Sequence, residues 1–138
     1  MKRLLLIVLP LLLIVGCSKV EGQQLIPDIT ERYSNGGIKS IYYHKKTRNG
    51  IEKVKYEEYY YNGQKKIEKT FKDDETYGLV TNWYENGQKK KEYTYKDGEF
   101  VGLYTRWNEN GQKWIEENYK DGKLISKKEW NEDGSVME

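Results

Sequence analysis

The sequence predicts an all-β fold, an elongated antiparallel meander of stacked hairpin repeats. Three observations carry that expectation. Asn62-Gly63-Gln64, Asn86-Gly87-Gln88 and Asn110-Gly111-Gln112 recur at an interval of 24 residues. A second turn signal divides each interval, as Asp97-Gly98 does after Asn86-Gly87. The segments between turns are short, free of proline and rich in Tyr, Trp, Thr and Lys. Asn-Gly and Asp-Gly between such segments are the strongest short-range hairpin signals. A fixed period of this length marks units that bury their faces against neighbouring copies.

In chain order, the first segment is of a different kind. Lys2 and Arg3 precede an apolar run, Leu4 to Val15, interrupted only by Pro10. The run is too short for a bilayer, which needs about 20 apolar residues. A basic start, a short apolar stretch and a small closing residue describe a secretory signal over 1–16. The run closes as Leu13-Ile14-Val15-Gly16-Cys17, which resembles the bacterial lipobox. That resemblance implies cleavage before Cys17 and attachment to membrane lipid through its acylated thiol, with the mature protein held in the cell envelope. Ser18, and not aspartate, follows the cysteine, which in a cell with two membranes resembles the pattern sent to the outer membrane. Cys17 is the only cysteine, so no intramolecular disulfide supports the fold. Residues 17–29 read as the lipidated N-terminus and a flexible tether, with Gly22 and Pro27 and no clear periodicity. The repeat domain is expected over 30–138.

Within that domain each Asn-Gly-Gln is preceded by a large aromatic, Tyr59, Trp83 or Trp107, three residues before the Asn. A glutamate (Glu68, Glu92, Glu116) follows six residues after it, and an aromatic (Phe71, Tyr95, Tyr119) nine after it. A weaker first copy begins at Asn35-Gly36-Gly37, and a truncated last copy is Trp130-Asn131-Glu132-Asp133-Gly134. A three-residue loop, Glu85-Asn86-Gly87, with glycine left-handed in a bulge, gathers Leu79, Trp83, Tyr93 and Tyr95 on one face. Asn82, Tyr84, Lys90, Glu92 and Thr94 then share the other. Because a one-residue slip flips every side chain, the register with a single coherent apolar face is expected. The same rule places Ile67 and Ile115 with Phe71 and Tyr119. The last copy is one residue short, and a two-residue Asp121-Gly122 turn would return Trp130 to the apolar face beside Leu124 and Tyr119.

The pattern Trp-Tyr-Glu-Asn-Gly-Gln-Lys-Lys at Trp83–Lys90, followed by Glu92, Tyr93 and Lys96-Asp97-Gly98, resembles the variant MORN repeats of bacterial envelope proteins. The resemblance runs from about Tyr33 to the C-terminus and is specific between Tyr56 and Gly122. It implies hairpins stacked into an elongated, twisted sheet. Related chains are grouped as an antitoxin-like family, which implies a binder that caps a toxic partner. The first copy departs from the pattern, with His44 where an aromatic belongs and an insertion before Asn49-Gly50.

Composition narrows the function. Loss of Lys2 and Arg3 takes the formal charge from +2 to zero, so the counterion release that drives nucleic-acid binding has no source. No nucleic acid is expected as a partner. His44 is the single histidine, no Cys/His spacing suits zinc, no acidic loop suits calcium and no phosphate cradle occurs. No catalytic, cofactor or metal residues are therefore assigned, and the chain is read as not an enzyme. Glu68, Glu92 and Glu116 are expected on a polar face, flanked by Lys66, Lys72, Lys90, Lys96 and Lys120 as cross-strand ion pairs. Tyr59, Trp83, Trp107 and Trp130 are expected in line, one per repeat, as a stripe that is either the core of a thin sheet or an open binding face. Tyr60, Tyr84 and Tyr104 should stand on the opposite face. The reading is a lipid-anchored envelope protein whose repeats form a protein-interaction or scaffold surface. An immunity-type binder and a cell-wall glycan binder are the alternatives.

Overall fold

The computed structural model describes residues 24–137. The signal segment, Cys17 and most of the expected tether lie outside the described residues. Nine strands follow in order: β1 (Ile26–Arg32), β2 (Ile38–Thr47), β3 (Gly50–Tyr59), β4 (Lys65–Lys72), β5 (Glu75–Trp83), β6 (Lys89–Lys96), β7 (Glu99–Trp107), β8 (Lys113–Lys120) and β9 (Lys123–Glu129). They form one open sheet in sequence order, each antiparallel to the next. Strand β1 corrects the tether boundary, since Ile26 to Ile29 pair with His44 to Ile41. Pro27 obscured this in the sequence. On an edge strand its missing N–H faces outward and costs no ladder bond.

The expected loop is present in every copy. Tyr84 N donates to Gln88 O at 2.8 Å, Gly87 N donates to Tyr84 O at 3.0 Å, and Gly87 has φ 85°. The same pair of bonds closes the turns at 33–37, 60–64, 108–112 and 131–135. On the other edge of the ribbon, Asp73-Asp74, Asp97-Gly98 and Asp121-Gly122 are all two-residue loops with both residues at positive φ. That conformation matches the strand twist.

The face assignment is corrected. Trp83 opposes Lys89, but the next pair is Asn82 with Lys91, so Lys90 is an extra residue. This second bulge undoes the shift made by the first. From Asn82 inward, Val80 opposes Tyr93 and Gly78 opposes Tyr95, while Thr81 opposes Glu92. Trp83 and Leu79 therefore share a face with Thr81 and Glu92, and Tyr93 and Tyr95 lie on the opposite one. Ile67 and Ile115 do share the face of Phe71 and Tyr119. The physical reason is that a single layer has no second sheet to cover one side. Both faces meet water, and dividing the rings between them shields both. The buried residues follow suit: Ile41, Glu57, Thr81 and Thr105 on the tryptophan face, Ser40, Val80 and Ile115 on the tyrosine face.

The last copy is corrected too. Its two-residue turn places Leu124 opposite Tyr119, yet every copy has such a turn, so the turn does not compensate the deletion. Strands β5 and β7 each carry two extra residues around Gly78 and Gly102, whereas β9 carries one extra, Ile125. The smaller bulge absorbs the missing residue and turns Trp130 to the tryptophan face, away from Leu124 and Tyr119.

Candidate functional site

The recurring residues first do structural work. Tyr60 donates its hydroxyl to Trp83 O at 2.8 Å, and Tyr84 to Trp107 O at 2.9 Å. Asn62 Nδ2 reaches Glu85 O at 3.0 Å and Asn86 Nδ2 reaches Glu109 O at 2.8 Å. The side chains of Gln64 and Gln88 lie against Gly87 and Gly111 of the following turns. Each Asn also accepts from the Gln N–H two residues on, as Asn86 Oδ1 does from Gln88 at 2.9 Å. Tyr, Asn and Gln thus tie the second turn to the third and the third to the fourth, and Tyr33, donating to Tyr59 O at 2.7 Å, ties the first to the second, so neighbouring copies hold one another in place.

The tryptophan face carries an alternating row. Tyr59 opposes Lys65, Trp83 opposes Lys89 and Trp107 opposes Lys113. Each ammonium lies over the next ring: Lys65 at 5.7 Å from the Trp83 centroid, Lys89 at 5.7 Å from Trp107 and Lys113 at 5.6 Å from Trp130. The stripe of Tyr59, Trp83, Trp107 and Trp130 is therefore in line and half-buried, with lysines between the rings. Such contacts are worth about 0.5–1 kcal/mol each at exposed sites.

The same lysines pair with the glutamate row, Lys65 with Glu68, Lys89 with Glu92 at 2.5 Å and Lys113 with Glu116 at 2.6 Å. This corrects the expected partners. Glu68, Glu92 and Glu116 lie on the tryptophan face, and Lys66 and Lys90 have gone to the other with the bulge.

Sequence reasoning missed Glu57, which is buried where the later copies have Thr81 and Thr105. Burial alone would raise its pKa. Contacts from Lys55 at 2.8 Å, Lys65 at 2.8 Å, Tyr59 at 2.6 Å and Tyr43 at 2.8 Å outweigh that and hold the carboxyl well below the usual carboxylate range. The signal was available as a glutamate standing out of pattern at a threonine position.

The tyrosine face holds two ring clusters. Tyr42 packs on Tyr56 at 4.7 Å and on Phe71 at 6.0 Å. Tyr93, Tyr95, Phe100, Tyr104 and Tyr119 form the second, with Tyr93 and Tyr104 stacked at 5.5 Å. Between them runs a groove of about 280 Å³ lined by Tyr60, Lys66, Tyr84, Lys90, Lys91 and Arg106, among others. Tyr60, Tyr84 and Tyr104 thus stand on the face opposite the stripe. Lys66 is paired with Glu58 at 2.6 Å. Lys90, Lys91 and Arg106 have no carboxylate partner among the described residues and lie over Tyr84, Tyr93 and Trp114 instead.

Burial raises the hydroxyl pKa of Tyr93 and Tyr104, and burial with the Glu58 carboxylate pushes Tyr56 up to about 12. These hydroxyls are moved away from the neutral range in which a general base works. His44 is half-buried on β2 beside Tyr42, opposite a bulge at Val54 of β3. Among the described residues no group of three His, Cys, Asp or Glu side chains is arranged to hold a metal ion.

Fold and site together define a single-sheet hairpin-repeat protein whose recurring residues stack turns. The MORN repeat variant matches residues 52–73, 76–97 and 100–121, so the chain belongs to the MORN repeat variant family. Repeats of this family are generally non-catalytic and serve interaction with proteins or lipids. No curated protein and no solved structure matches the chain.

Proposed function

We propose that this protein is a lipid-anchored component of the cell envelope, attached through Cys17, whose sheet is a non-catalytic surface that holds another protein close to the membrane. Where the cell has two membranes, Ser18 directs it to the outer one. The anchoring half of the reading is supported by the basic start, short apolar run and lone cysteine of residues 1–17. The binding half is supported by the groove on the tyrosine face. There Lys90, Lys91 and Arg106, unmatched by carboxylates, stand beside Tyr60, Tyr84 and Tyr104. Arginine and tyrosine anchor protein contacts, and unmatched cations select an acidic patch on the partner.

Cross-linking in intact cells followed by mass spectrometry tests the binding half. One recurrent protein should be captured, and its yield should drop about tenfold when Lys90→Glu and Lys91→Glu are combined, a loss of about 1.4 kcal/mol. A capture that ignores the charge reversal, or no recurrent protein at all, would sink it. The mass of the mature N-terminus tests the anchor, since a free thiol at Cys17 or a retained signal segment overturns that half.

A further inference from the structure

The tyrosine and asparagine ties are both lost between the fourth and fifth turns, where the Gln112 side chain alone still lies against Gly134. Tyr60 and Tyr84 hold the second turn to the third and the third to the fourth, but the equivalent residue in the fourth turn is Asn108. Asn62 and Asn86 reach forward, whereas Asn110 Nδ2 turns back to Gln112 Oε1 of its own turn at 2.9 Å. Lys66 and Lys90 lie over tyrosine rings, and their counterpart is Trp114. Between the fourth and fifth turns a cleft of about 550 Å³ opens, lined by Asn108, Glu109, Asn110, Trp114, Trp130 and Glu132. That volume falls within the range of roughly 300–1,000 Å³ usual for small-ligand sites.

We propose that this cleft binds a neutral saccharide. The Trp114 indole offers a flat apolar surface for the C–H face of a pyranose ring. Two amides and two carboxylates supply the mixed donors and acceptors that a rim of hydroxyls needs. Charge argues for a neutral ligand. A cation would meet Arg106 over Trp114, and an anion would meet Glu109 and Glu132. The cleft shares only Trp114 with the surroundings of the basic groove, so this site stands or falls apart from the protein-binding reading.

The test is a titration of the full-length lipoprotein in mild detergent with tetra-N-acetylchitotetraose and, separately, cellotetraose. The readouts are tryptophan fluorescence and the indole N–H resonances. At least one sugar should give saturable change at Trp114 with Kd of about 0.1–1 mM. Trp114→Ala should weaken it about tenfold, and Trp83→Ala should leave it unchanged. Asn108→Tyr combined with Trp114→Lys restores the residues of the earlier copies and closes the cleft. That variant should melt no lower than the wild type and lose the sugar. Absence of saturable change with both sugars, or binding that survives in the restored variant, overturns the proposal.

Discussion

Glu57 is the one buried carboxylate among the described residues, and four donors converge on it. Glu57→Gln removes the charge that Lys55 and Lys65 share and leaves one donor too many. A loss of about 1–3 kcal/mol in denaturant unfolding is expected. Acid should produce the same effect in the wild type. The folded carboxyl lies below its ordinary value of 4.5, so the unfolded chain takes up this proton more readily. Its stabilisation is complete above that value and is lost as pH falls through the folded pKa. Thermal melts over the acid range should therefore fall less steeply for Glu57→Gln than for the wild type. Equal slopes would show that the network carries no net stabilisation.

At the scale of the element, the Asn-Gly-Gln turn explains why its letters recur. Gly87 has φ 85°, and a methyl group there would also stand 3.3 Å from Gln64 Oε1. Gly87→Ala should cost about 1–2 kcal/mol for the left-handed backbone alone, measurable as a shift in the urea midpoint. Gly63→Ala meets nothing within 4 Å and should cost less, so the difference isolates the contact between turns. Here the sequence was legible: turn length, the left-handed glycine, strand number between Tyr56 and Gly122, and the alignment of Tyr59, Trp83, Trp107 and Trp130 follow from local chemistry. The pairing of faces was not. Lys66, Lys90 and Trp114 sit at bulges two residues beyond the turn, and nothing in a lysine or a tryptophan announces a bulge. An unseen extra residue flips all that follows, which is how Glu92 came to share a face with Trp83. The Trp114 cleft was illegible for the same reason. It exists because of ties that are missing, and those appear only once the turns are stacked.

For the whole molecule, the sheet has no second layer and no fully buried large side chain among the described residues. Its stability comes from contacts between neighbouring copies, close to a one-dimensional sum. Excision of residues 76–99, one full period, joins Glu75 to Phe100 and keeps both faces and the turn stack in phase. The shortened chain should retain its β-sheet circular dichroism and unfold with a proportionately smaller denaturant slope. Removing 76–98 instead leaves an odd residue and inverts one half against the other, and that chain should lose cooperative unfolding. Cooperative unfolding of both chains alike would show that phase does not matter.

The fifth turn has Asp133 where earlier turns have asparagine, and Ser135 where the second to fourth have glutamine. Asp133 accepts from Ser135 N at 2.8 Å and from Ser135 Oγ at 2.6 Å. A carboxylate has no N–H to offer onward, and a serine is too short to lie against a further glycine. A regular array ends in chemistry that welcomes another unit, whether from its own chain or a stranger's, which is the usual route to fibres. At the fifth turn those two substitutions withdraw the amide and the long side chain by which the second and third turns tie forward.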